Sequence, residues 1–126
     1  MSKEIINTAL APAPIGPYNQ ATSANGFLFI SGQIAINPEN GTLEMENIEQ
    51  ETHRVMKNLG AILKEAGLDF GHILKCSIFI SDMGNFSRIN EVYGSYFPEN
   101  APARECVEVS VLPKNVNVEI SAIAAS

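Results

Sequence analysis

Near its C-terminal end the chain carries, in two short alternating runs, the side chains best able to do chemistry. Arg104, Cys106, Glu108 and Ser110 are interleaved with Val107, Val109 and Val111, and Asn117, Glu119 and Ser121 with Val116, Val118, Ile120 and Ala122. Side chains two apart in an extended chain share a face, so each run turns its polar groups to one side. A guanidinium and a carboxylate in such a place are groups for holding an anion and moving a proton. A face of this mixed kind is either solvated or the lining of a site between subunits, and most exposed strand charges do nothing but solvate.

Covalent and metal chemistry find less support. Cys106 has no histidine nearby in sequence to lower its pKa, so it reads as a small hydrophobe rather than a nucleophile. Cys76 and Cys106 form neither a CxxC pair nor a disulfide framework, and both are expected to be reduced thiols. His53 falls within a helical run and His72 just before a strand, neither at metal-ligand spacing from the cysteines. Both histidines are read as surface or structural. Ser31-Gly32 has neither the GxSxG elbow nor a P-loop around it, which argues against serine catalysis and nucleotide-phosphate binding.

The elements that must position these groups follow from periodicity. Residues 27–36, reading FLFISGQIAI between Asn25-Gly26 and Asn37-Pro38, are aromatic and β-branched and predict a central strand. Turn formers fill residues 37–42. Ile48, Val55, Met56, Leu59, Ile62, Leu63 and Ala66 then recur at spacings of three, four and seven, predicting an amphipathic helix. Asn47, with Gln50 three residues on, opens it as a capping-box-like pair, and Gly67 closes it. Residues 73–80 return to strand composition. Phe86, Ile89, Tyr93, Tyr96 and Phe97 give a shorter helix with an aromatic core stripe, ended with the help of Pro98. Strands over 103–111 and 116–124, separated by Leu112-Pro113-Lys114-Asn115, close the chain. With two weak N-terminal strands, this order predicts a two-layer α+β domain of about six strands, two helices covering one face and leaving the other open.

Composition bounds the rest. At 126 residues one domain over 1–126 is expected. Hydrophobic residues make up 45% and charged residues 17%, a globular composition, and no run approaches the length of a membrane span. The residues after Met1 show no secretory signal, so a cytoplasmic protein is expected. A net charge of −6 with eight scattered Lys and Arg residues opposes binding to a phosphate backbone, and nucleic acid is not expected as a partner.

Three ordered segments resemble the RidA/YjgF family of reactive-intermediate deaminases: Ile15-Gly16-Pro17-Tyr18, Ile30-Ser31-Gly32-Gln33, and the run from Pro102-Ala103-Arg104 to Val118-Glu119-Ile120. The resemblance covers essentially the whole chain. It implies a chorismate-mutase-like fold, a homotrimer with sites in the clefts between subunits, and hydrolysis of 2-imino acids such as 2-iminopropanoate and 2-iminobutanoate to 2-oxo acids and ammonia. Such imines arise from enamines released by pyridoxal-phosphate-dependent dehydratases, and no metal or organic cofactor is implied for their hydrolysis. By position, Arg104 matches the arginine that binds the substrate carboxylate and Glu119 the acidic residue that holds the attacking water. Tyr18, Ser31, Gly32, Asn90 and Cys106 match the remaining positions around the ligand. A trimer that senses a 2-oxo acid without turnover is the competing reading, and RNA cleavage, reported for some relatives, is disfavoured by the acidic charge. Two departures stand out: Glu105 replaces a small residue after the arginine, pointing away from Arg104 by strand parity, and the segment 98–101 is short.

The resemblance also raises a geometric difficulty. If the last two strands paired as a hairpin around Lys114, Glu119 would face Val109 and Arg104 would lie about five residues, ~17 Å, further along. The two groups could then share a small substrate only if a neighbouring subunit contributed Glu119 or if the strands were not a hairpin.

Overall fold

The structure, a computed structural model, describes residues 2–126. Among the described residues six strands form one mixed sheet: β1 (Glu4–Ile6), β2 (Ala21–Ala24), β3 (Phe27–Gln33), β4 (Ile73–Ile80), β5 (Ala103–Glu108) and β6 (Val118–Ala125). Two α-helices, α1 (Ile48–Glu65) and α2 (Phe86–Gly94), connect β3 to β4 and β4 to β5. The spatial order is β1-β2-β3-β6-β4-β5. The last strand is thus inserted antiparallel between β3 and β4, while β5 pairs parallel to β4 at the edge.

This order removes the hairpin. β5 and β6 are consecutive in sequence, but β4 lies between them. A β4-α2-β5 crossover demands parallel pairing, and β6 fills the remaining slot on the other side of β4.

The helix layer rests on one face, as expected. Leu28, Ile30, Cys76, Ile78, Ile80, Val118, Ile120, Ala122 and Ala124 point into it and meet Val55, Met56, Leu59, Ile62, Leu63 and Ile89. Asn47 caps α1 as predicted, its side chain accepting from the amide of Gln50 at 2.8 Å, and Gly67 follows the helix at φ +78°. The other face stays open and carries exposed Ile5, Phe27, Phe29 and Val107.

Three predicted strands overran their ends, each for a hydrogen-bonding reason. β3 stops at Gln33 rather than Ile36, because buried Asn58 on α1 donates to the carbonyls of Ile34 and Ile36, both at 3.0 Å. β6 starts at Val118 because Asn117 is already committed: its backbone N–H and Nδ2 donate to the carboxylate of buried Glu51 at 2.7 and 2.8 Å. β5 stops at Glu108, where its neighbour β4 ends at Ile80. The second helix ends at Gly94, leaving Tyr96 and Phe97 beyond it.

Candidate active site

Strand register assigns the polar residues to faces, and it separates two that the alternating runs had suggested were alike. Arg104 pairs with Cys76 and Cys106 with Ile78, residues of the helix-covered face. Glu119 pairs with Phe79, whose neighbours Ile78 and Ile80 both point into the helix layer, so Glu119 stands on the open face. Within one copy Arg104 and Glu119 therefore lie on opposite faces of the sheet, and their partners Cys76 and Phe79 are three residues, roughly 10 Å, apart along β4.

Around Arg104 the chain gathers one cluster of the candidate residues at the sheet edge. The guanidinium carbon stands over the Phe86 ring at 5.4 Å and over the Tyr93 ring at 5.2 Å, both from α2. Among the described residues no carboxylate pairs with it. Asn90 is exposed on α2, four residues after Phe86 and three before Tyr93, which places it on the same side of the helix. Half-buried Cys106 follows Arg104 on the same face, and burial pushes its thiol pKa up. Cys76, deeper in, is shifted the same way by burial. Neither thiol is activated as a nucleophile would be.

Around Glu119 the chain gathers the other cluster. Between Ile30, which pairs with Ala122, and Gln33, which pairs with Ile120, β3 has one residue more than β6. The resulting β-bulge holds Ser31 and Gly32. Ser31 is turned to the N-terminal segment, its hydroxyl donating to the carbonyl of Asn19 at 2.7 Å. The Glu119 side chain lies across Gly32 so closely that a Cβ there would stand 2.7 Å from Oε2 and 2.9 Å from Cδ. Only glycine permits that approach.

Tyr18, Gly32 and Glu119 line one cleft of about 80 Å³ with Ile15, Ile34 and Pro113. A broader depression of about 470 Å³ on the open face begins at Tyr18 and takes in Ser31, Lys75 and Ser77. Phe79 opposite Glu119 belongs to a second apolar cluster with Ile34, Leu112 and Val116. Burial in these surroundings pushes the Glu119 pKa up, and among the described residues no cation pairs with it. The structure thus gathers Tyr18, Ser31, Gly32 and Glu119 on one side and Asn90, Arg104 and Cys106 on the other.

Residues that hold these two clusters in place were not singled out by their sequence. Gln20, fully buried, accepts from the amide of Thr8 at 2.6 Å and donates to the carbonyls of Thr8 and Pro12 at 3.0 and 2.8 Å, fixing the segment that carries Ile15 and Tyr18. Glu51 anchors Asn117, two residues before Glu119. A signal for Glu51 existed, since it falls on the apolar stripe of α1 where a lone carboxylate is out of place; Gln20 had none. Glu105 lies on the open face opposite Ser77, where the Lys75 ammonium approaches it at 3.0 Å, and hydrogen bonds from Ser77 and Lys75 hold its carboxyl below the usual range. His53 meets the Tyr96 hydroxyl at 2.8 Å, and His72 caps a turn with Asp69. Among the described residues no three His, Cys, Asp or Glu side chains converge as a metal site requires, and no helix is long and apolar enough to cross a membrane.

Comparison with known proteins places the chain. A family model described as endoribonuclease L-PSP matches residues 8–126. A RutC family protein of Synechocystis is 52% identical over 126 residues, covering 98% of this chain and 97% of that protein. A mouse protein named 2-iminobutanoate/2-iminopropanoate deaminase is 42% identical over 122 residues, covering 97% and 90%. Among solved structures, a Rid family protein of unknown function from Yersinia pestis superposes with a TM-score of 0.97 at 47% identity, covering 99% of this chain and all of that one.

Proposed function

The chain belongs to the Rid family, the family of the endoribonuclease L-PSP model and of the YjgF fold, and on that premise we propose that it hydrolyses reactive 2-imino acids to 2-oxo acids and ammonia. The observation that carries this reading is that the fold leaves two groups without partners: a half-buried arginine with no carboxylate and a half-buried carboxylate with no cation. Each is costly for stability alone, and together they fit a small acid and the water that attacks it.

Arg104 holds the substrate carboxylate through its N–H fork. Glu119 accepts a proton from water as the water oxygen adds to C2 of the iminium; the carbon–nitrogen double bond becomes a single bond, and the nitrogen keeps the electron pair. The proton passes to that nitrogen, ammonia leaves as an oxygen electron pair forms the carbonyl, and the hydroxyl proton goes by way of the Glu119 carboxylate to the ammonia. Iminium plus water gives oxo acid plus ammonium, with no redox partner. Because an iminium carbon is already electrophilic, holding it beside an oriented water supplies much of the acceleration. Since Arg104 and Glu119 occupy opposite faces within a copy, the complete site is formed by two copies, in an assembly we take to be a trimer. The cytoplasm is the compartment proposed for it.

The test is to generate 2-iminobutanoate in place with an amino-acid oxidase and follow its decay. Faster decay with the protein present is expected; binding of 2-oxobutanoate without faster decay would instead support a sensor. A second expectation concerns the bulge. Gly32→Ala must push the Glu119 carboxylate aside, and a shift of about 1 Å at a reacting group can cost up to ~100-fold. The variant should lose about 10- to 100-fold in kcat/KM while melting within a few degrees of the wild type, as steady-state kinetics and calorimetry would show.

A further inference from the structure

Arg104 is held in a manner that carboxylate recognition alone does not explain. A guanidinium that binds a carboxylate needs its N–H fork free, and a protein carboxylate fixing it would compete for that fork. Here two rings of α2, rather than any acid, flank the cation: Phe86 at 5.4 Å and Tyr93 at 5.2 Å. An aromatic face attracts a cation through its quadrupole and asks for no N–H donor.

Tyr93 is itself fixed. It is buried, its ring packs 4.9 Å from that of Phe97, and its hydroxyl lies against the Cys76 thiol. Burial drives the phenol pKa far up, so the ring meets Arg104 as a neutral π-face and not as a phenolate. Phe86 opens α2 directly after a turn that Asp82 caps, its carboxylate accepting from the amide of Gly84 at 2.8 Å, so the ring is placed by a fixed first turn.

We propose that Phe86 and Tyr93 are positioning residues that hold the Arg104 guanidinium ready for the substrate carboxylate while leaving its N–H groups free. The inference rests on the reading that Arg104 binds that carboxylate. It acts through binding more than through chemistry, because the carboxylate is held in ground state and transition state alike.

The experiment compares Phe86→Leu with Phe86→Tyr. Phe86→Leu should raise both the Kd for 2-oxobutanoate and the KM for 2-iminobutanoate by about 3- to 30-fold, with kcat within about twofold. Phe86→Tyr, which keeps the π-face, should restore both to near the wild-type values. An independent readout is the Arg104 Nε–H resonance: ring currents shift it in the wild type, Phe86→Leu should move it, and Phe86→Tyr should leave it in place. An unmoved resonance with unchanged Kd in Phe86→Leu would refute the proposal, and so would equal losses in Phe86→Leu and Phe86→Tyr, which would mark Phe86 as packing alone. If the resonance and Kd shift as expected while even the wild type fails to speed imine decay, the ring contact stands and the deaminase reading falls.

Discussion

Arg104→Ala and Glu119→Gln, each purified alone, are expected to lose at least about 100-fold in kcat/KM for 2-iminobutanoate, yet an equal mixture unfolded and refolded together should regain about a quarter of the wild-type rate. The recovery follows from the faces. If every site takes Arg104 from one copy and Glu119 from the next around a closed ring, half of the first positions and half of the second are intact after random assembly, and about one site in four has both. A chain that built its whole site alone would give an inactive mixture. Steady-state rates of the refolded mixture, with each variant refolded alone as control, decide between the two.

Glu119→Gln should also separate catalysis from stability, and the direction follows from its pKa. Burial raises the Glu119 pKa in the folded chain, so between the ordinary carboxylate value and the raised one the folded state binds more protons than the unfolded state. Stability contributed by this group is then fully present at low pH and lost as pH rises through that window. At neutral pH the ionised carboxylate is a burden on the fold, and Glu119→Gln should melt no lower than the wild type while being inactive. Wild-type kcat/KM should fall as pH drops through the same raised pKa, because a protonated Glu119 cannot accept a proton from water. Approach of a second copy's guanidinium draws that pKa back down. The acid limb of the pH–rate profile thus reports how closely the two half-sites meet, and the difference in melting between variant and wild type from pH 4 to 8 checks the stability half.

The helices and the identity of every long strand were legible in the sequence, since apolar spacing dictates which side of each element is buried. Ile48 through Leu63 and Val118 through Ala124 are cases where periodicity and burial coincide. Strand order was not legible. Nothing local tells β6 to insert beside β4 instead of folding back on β5; that choice is made by the α2 crossover, a long-range constraint. The same gap hid the opposition of Arg104 and Glu119, because alternation within a strand sets relative faces but not which face meets the helices. The candidate residues themselves came from the match to Rid motifs. Their supports, Gln20 and Asn58 above all, satisfy backbone groups far away in sequence, and such bonds leave no pattern to read.

The bulge at Ser31-Gly32 bears on how this chain can change by insertion and deletion. Ile30 opposes Ala122 and Gln33 opposes Ile120, so three steps on one strand match two on the other. A chain lacking one of these two residues would form an uninterrupted ladder, with Phe27, Phe29 and Gln33 all keeping their present sides of the sheet. On the proposed function the supernumerary residue is what brings Gly32 under the Glu119 carboxylate, and a chain that has drifted away from catalysis is where its loss is expected first.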